Sequence, residues 1–143
     1  MKGQSMAVLT DDVRRFLDEP RFAVLATVNP DGSPQQTVMW YRLEGDAILM
    51  NTRRGRKKDR NLARDSRVSL CFADGYTYLT LTGSLEVDAD PASGQEGIQR
   101  LAVRYHGPEK AAEMVASQFS REERLNLRLR IETVDAHGFG EAE

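Results

Sequence analysis

Three short turn signals, Asn29-Pro30-Asp31-Gly32, Glu44-Gly45-Asp46 and Asp74-Gly75, each stand between runs of apolar or alternating residues. Turns this tight send the chain back along the strand it has just left, so they commit the sequence to antiparallel neighbours. Residues 22–28 are apolar on both faces and read as a buried strand. Residues 34–43 read as its returning partner and residues 47–52 as a third strand. Val68, Leu70 and Phe72 then alternate with Ser69, Cys71 and Ala73. Residues 76–88 read as the longest strand, with Leu79, Leu81, Leu85 and Val87 on one face. Gly83 interrupts that face and marks a bulge or a close backbone approach. Leu125, Leu127, Leu129 and Ile131 make a last strand with one wet face. About six strands, mostly joined as hairpins, predict a small β-barrel of the α+β class, or a meander closed on itself, rather than a doubly wound sheet.

The helical signals are short and peripheral. Thr10 caps a helix opened by Asp11 and Asp12, with Val13, Phe16 and Leu17 on one face and Pro20 as its stop. Residues 56–65 lack strand alternation and suit a helix that carries Leu62 and Ala63 inward. Asp90-Pro91 opens a helix with Ile98, Leu101, Ala102 and Tyr105 on its apolar stripe. Gly107-Pro108 breaks it, and a further helix carries Ala111, Met114, Val115 and Phe119. Ser120-Arg121-Glu122-Glu123 has the form of a capping box.

Charge is distributed unevenly. Residues 53–67 hold eight basic and two acidic side chains, a local balance of +6 in a chain of net charge −2. They follow an apolar strand and enter a short helix, which is where backbone N–H groups and cations together bind anions. Arg56 and Lys58 are placed to reach a phosphate, and Gly55 lets the backbone come close. The competing reading is a solvated helix face with its charges paired to Asp59 and Asp65. The run contains no aromatic residue and the chain is acidic overall, which argues against nucleic-acid binding.

The strand of residues 34–43 is mixed on both sides, with Gln35, Thr37, Met39 and Tyr41 on one and Gln36, Val38, Trp40 and Arg42 on the other. Such a strand meets a partner or the edge of a planar ligand. Tyr76 and Tyr78 share a face and suit a dimer interface, a cofactor cover, or both. His106 and His137 each stand alone, without the spacing of a metal site. A single cysteine, Cys71, excludes an internal disulfide and a CxxC motif, suits a cytoplasmic setting, and is expected to be an inert packed thiol. Neither phosphate-loop nor serine-hydrolase nor zinc-protease motifs occur. No apolar run is long enough to span a membrane.

Taken in order, residues 22–28, Asp31-Gly32-Ser33-Pro34-Gln35, residues 38–41, Arg56-Lys57-Lys58-Asp59-Arg60-Asn61-Leu62, Asp65-Ser66-Arg67-Val68, Asp74-Gly75-Tyr76-Thr77-Tyr78 and Gly83 resemble the pyridoxamine 5′-phosphate oxidase-like split-barrel superfamily. Within it they are most similar to the short branch that uses the deazaflavin coenzyme F420. The resemblance implies a split barrel over residues 9–135, after a disordered leader of residues 1–8 and before a tail of residues 136–143. It implies a homodimer with the cofactor, F420 or alternatively FMN, in a groove between barrels. It implies that Arg56 and Lys58 hold the phosphate, with Lys57 beside them, and that Asn61 supports that loop. Gln35, Thr37, Val38 and Thr52 would line the ring system, while Tyr76 and Tyr78 close the groove. The implied activity is hydride transfer to a small unsaturated or conjugated substrate. Tyr41 and Tyr78 are the candidate proton donors beside solvent. A non-catalytic cofactor carrier is the alternative from another class.

Overall fold

The computed structural model describes residues 9–139. Its strands are β1 (Ala23–Val28), β2 (Pro34–Met39), β3 (Arg42–Glu44), β4 (Ala47–Arg53), β5 (Arg67–Asp74), β6 (Thr77–Asp88) and β7 (Arg124–His137). Its helices are α1 (Asp11–Asp18), α2 (Lys57–Arg64), α3 (Pro91–His106) and α4 (Pro108–Ser117). All strand pairs are antiparallel, in the order β2-β1-β5-β6-β7-β4-β3.

The two edge strands, β2 and β3, are consecutive in sequence and separated only by Trp40 and Tyr41. Three Cα–Cα steps reach about 10 Å at most. Opposite edges of a seven-stranded sheet can be that close only if the sheet curls round, so the fold is a barrel with a split between β2 and β3. Tyr41 makes the crossing. Its ring is fully buried against Phe72 at 4.8 Å, and its hydroxyl donates to the Glu19 carbonyl at 3.1 Å. This corrects the continuous strand expected over residues 34–43, and it adds a seventh strand to the expected six.

The barrel interior is filled by the inward positions of every long strand, among them Leu25, Ile48, Leu70, Phe72, Leu79, Leu81 and Leu127, all buried. α1 seals one end with Val13, Phe16 and Leu17, and Thr10 accepts the Val13 N–H as its cap. β7 is the longest strand at 14 residues, against 12 for β6. It runs through Ala136 and His137, which the sequence reading assigned to a tail, and Phe139 packs edge-on against Phe16 at 5.1 Å. The leader of residues 1–8 lies outside the described residues. At Gly83 the β6–β7 register shifts, and a Cβ there would lie 1.9 Å from the Arg130 carbonyl oxygen. The bulge and the close approach are one feature.

Other local expectations change for identifiable reasons. β1 alternates, with Ala23, Leu25 and Thr27 buried and Val24, Ala26 and Val28 only half-buried. In α2 the buried residues are Lys58, Asn61 and Leu62, while Ala63 is exposed. No capping box forms at Ser120, because Glu122 instead engages Arg124 as β7 begins, leaving room only for a 3-10 turn over Phe119–Arg121. α3 lies directly on β7. Added Cβ atoms at Gly94 and Gly97 would sit 1.9 Å from the Arg124 carbonyl and from Asn126 Oδ1, so only glycine admits this approach.

The outer barrel face divides by charge. Across β2, β1, β5 and β6, the rungs Val38–Val24–Cys71–Thr80 and Gln36–Ala26–Ser69–Thr82 carry no charge. Across β3, β4, β7 and β6 the corresponding rung is Arg42–Leu49–Arg128–Glu86. Cys71 is exposed on the uncharged half, not packed as expected.

Candidate functional site

The basic junction leaves β4 at Arg53. The Arg54 N–H donates to the Glu123 carbonyl at 2.8 Å, and Gly55 takes φ +92°, a left-handed turn that a side chain would strain. Asp59 accepts the Gly55 N–H at 2.8 Å, and Arg60 donates back to the Gly55 carbonyl at 2.6 Å. Asp59 and Arg60 therefore shape the loop. Arg56 occupies the N-cap of α2 without a side-chain cap, so the first-turn N–H groups keep their capacity for an anion.

Asn61, buried beneath this loop, donates to Thr27 Oγ1 at 3.0 Å and to Asn29 Oδ1 at 3.2 Å. The Thr27 hydroxyl in turn donates to Gln35 Oε1 at 2.9 Å. Arg64 donates to Asn61 Oδ1 at 2.9 Å and to the Val28 carbonyl. One side-chain network thus bolts α2 to β1 and β2.

Lys58 is the most telling residue. It is 5% exposed, yet among the described residues it has neither an ion pair nor a hydrogen bond. Its Nζ is absent from the sealed, unpartnered polar atoms, so the stem is buried and the tip reaches a cavity. Burial, and then the nearby Arg56 and Arg124 charges, lower its pKa from 10.5. A buried ammonium without a counter-ion is costly, and the cost is met when an anion binds.

That cavity, of about 230 Å³, opens at the split between β2 and the part of β4 that runs beyond β3. One wall is apolar, with Val38, Trp40 and Phe119; the other carries Arg56, Lys58 and Arg124. Trp40 is held by stacking on Tyr105 at 5.2 Å. A larger hollow of about 410 Å³ on the far side of α3 sets Arg42 and Arg128 against Glu44, Glu86 and Asp88. Its charges balance, so size does not make it the anion site.

Val38, Thr52, Arg56 and Lys58 line the smaller cavity together. Lys57 is exposed and does not line it. Gln35 and Thr37 point to the inner face of β2, opposite Thr27 and Leu25. The Thr37 hydroxyl is buried there without a partner, an acceptor and donor left over for something else. Tyr76 stands 93% exposed on the β5–β6 turn, and Tyr78 stacks on His137 at 4.7 Å; within one chain neither reaches the cavity. Tyr41 is no proton donor, because it is sealed in the core and burial pushes its pKa up to about 12.

Arg124 and its supports were not foreseen. Its Nε donates to Asn51 Oδ1 at 2.9 Å, its Nη1 donates to Glu122 at 2.7 Å, and its guanidinium lies 5.0 Å from the Phe119 ring. In sequence it reads as one more charge on the wet face of the last strand. The available signal was the Gly94 and Gly97 pair, which allows α3 to cover that face.

Comparison with known proteins follows this geometry. The pyridoxamine 5′-phosphate oxidase family pattern matches residues 9–138. An F420H(2)-dependent biliverdin reductase of Mycobacterium tuberculosis is 29% identical over 102 residues, covering 70% of this chain and 74% of its own. A conserved hypothetical protein of Mycobacterium tuberculosis superposes with a TM-score of 0.79 at 26% identity, covering 95% of this chain and 89% of its own. A structure described as an F420 reductase superposes with a TM-score of 0.69 at 28% identity, covering 85% of this chain and 94% of its own.

Proposed function

The chain belongs to the pyridoxamine 5′-phosphate oxidase family, and from that premise we propose that it is an F420-dependent oxidoreductase acting as a homodimer on a small conjugated substrate. The observation that carries the reading is Lys58, a buried cation whose open tip meets Arg56 in one cavity. The 29%-identical F420H(2)-dependent biliverdin reductase and the 28%-identical F420 reductase favour the deazaflavin over FMN. FMN is the second reading, since it presents a phosphate to the same loop.

The residues fit such a cofactor. Lys58 and Arg56, with the uncapped N-terminus of α2, would hold its phosphate. Asn61 keeps that helix in place through Thr27 and Asn29. Thr52 and Val38 stand at the cavity mouth, and the unpartnered Thr37 hydroxyl is available to a ring heteroatom if β2 moves slightly. When bound, the reduced deazaflavin supplies a hydride to the substrate; the protein binds, orients and shields. Lys57 would add long-range attraction from outside the cavity.

The dimer has its own support. A cavity of about 230 Å³ is smaller than the ~300–1,000 Å³ of a complete ligand site. It suits the phosphate end and leaves the ring system to extend along β2 from the exposed Val38. From there the sheet face is uncharged through Val24, Cys71 and Thr80, which suits burial against a second protomer. Tyr76 and Tyr78 would then close the partner's groove, with His137 beside Tyr78. A cytoplasmic location belongs to the same reading, consistent with the free Cys71; among the described residues no helix is long and apolar enough to cross a membrane.

The test is an equilibrium titration with F420 and with FMN, followed by protein fluorescence. Micromolar or tighter binding of F420, and weaker binding of FMN, is expected. Binding of neither cofactor sinks the proposal, and tight binding without turnover across quinones, enones, nitroaromatics and tetrapyrroles makes the protein a carrier instead.

A further inference from the structure

Three cationic side chains at one wall are more than a single phosphodiester requires, and they are not equivalent. Lys58 has no protein counter-ion among the described residues, and Arg56 has no ion pair or side-chain hydrogen bond there. Arg124 is different. It stands at the start of β7, on the opposite side of β4 from the split, with its side chain 11% exposed. Two of its nitrogens are committed, Nε to Asn51 and Nη1 to Glu122. Its Nη2 has no partner among the described residues and is not sealed from solvent, so it opens to the cavity that Arg124 lines.

The support behind Arg124 is rigid. Asn51 is buried and donates to the Gly94 carbonyl and to Asn126 Oδ1, both at 2.9 Å, while Asn126 donates to the Ser93 carbonyl at 2.7 Å. Every hydrogen bond in this set fixes the plane of the guanidinium. Glu122 also reaches Arg53 at 3.9 Å, so one protein carboxylate already sits between two arginines at this end of the cavity. The pocket therefore carries its own example of the group it can take: a carboxylate on Arg124, away from Lys58.

We propose that the cavity holds two separate anionic groups, a phosphate on Lys58 and Arg56 and a carboxylate on Arg124, so that Arg124 selects a cofactor whose chain continues past its phosphate to a carboxylate. The inference rests on the cofactor reading above and deepens it. A terminal phosphate, as in FMN, satisfies only the first position. A phosphodiester that continues into a carboxylate-bearing chain satisfies both, with Glu122 as the competitor that the ligand carboxylate must share or displace.

The experiment compares F420 with the deazaflavin 5′-monophosphate, which has the same ring and ends at the phosphate. Affinities are read by fluorescence titration for the wild type, Arg124→Met, Glu122→Gln and Lys58→Met. Arg124→Met is expected to weaken F420 at least tenfold and the monophosphate less than threefold. Glu122→Gln, which removes the competitor and keeps the fold's hydrogen bond to Arg124, is expected to tighten F420 several-fold and leave the monophosphate unchanged; this arm stands if Arg124→Met folds poorly. Lys58→Met is expected to weaken both ligands. Arg124→Met weakening the two alike, or neither, overturns the second position, as does a Glu122→Gln protein with unchanged F420 affinity. Failure of the wild type to bind either ligand instead overturns the cofactor reading itself.

Discussion

Replacing Lys58 by Met should move stability and binding in opposite directions. In the free protein the ammonium is buried without a counter-ion, and burial lowers its pKa from 10.5. Methionine fills the same space without that charge, so the free protein should gain about 1 kcal/mol, a modest share of what replacing buried ionic groups can yield. The sign with pH follows from the same shift. Between the lowered folded pKa and 10.5, the unfolded chain binds more protons than the folded one, so wild-type stability should rise with pH there, and the Met variant should lose that rise. With the cofactor the effect reverses. A charge-assisted hydrogen bond contributes about 1.5–3 kcal/mol, so the dissociation constant should rise by about 10- to 100-fold. Urea denaturation measures the first quantity and fluorescence titration the second. A Lys58→Met protein that is less stable and binds as tightly as the wild type would refute the reasoning, because Lys58 would then be a structural residue.

Four further outcomes follow from the same geometry. Asn61→Ala removes the bonds to Thr27 and Asn29 from a buried site; it should cost about 1–3 kcal/mol by denaturation and loosen cofactor binding by displacing α2. Gly83→Ala forces a Cβ to 1.9 Å from the Arg130 carbonyl oxygen, a backbone atom that cannot swing away, and should cost roughly 3 kcal/mol or more in the same assay. Tyr41→Phe loses only the bond to the Glu19 carbonyl, about 1 kcal/mol, and should leave turnover per folded protein unchanged. Ala26→Arg places a charge at the centre of the uncharged rung Gln36–Ala26–Ser69–Thr82 and should give a monomer by analytical ultracentrifugation where the wild type gives a dimer.

The turn chemistry made most of the architecture legible. Asp31-Gly32, Gly45 and Gly75 sit at the hairpin ends, with φ of +89°, +60° and +64° at the three glycines, and the antiparallel pairing follows from them. What local pattern could not convey was where a strand stops belonging to one edge and joins the other. Trp40 and Tyr41 look like more of β2, and only the burial of Tyr41 against Phe72 turns the chain across the split. The anion site was half legible for a related reason. A local excess of charge pointed to the loop, but Lys57 and Lys58 are neighbours of the same type, and helix geometry alone buries one and exposes the other. Arg124 lies 66 residues beyond Lys58, brought to it by β4–β7 pairing, in which Arg53 stands opposite Arg124. No local pattern carries that juxtaposition. Tyr76 and Tyr78 were assigned to the site through resemblance, and they fall outside the cavity of a single chain because their proposed role belongs to a second protomer.

The most direct measurement is a crystal structure of the protein with F420 bound. The account predicts the cofactor phosphate within hydrogen-bond distance of Lys58 Nζ, at the N-terminus of α2, with the ring system running along β2. A phosphate bound instead in the hollow beyond α3, between Arg42 and Arg128, would contradict it.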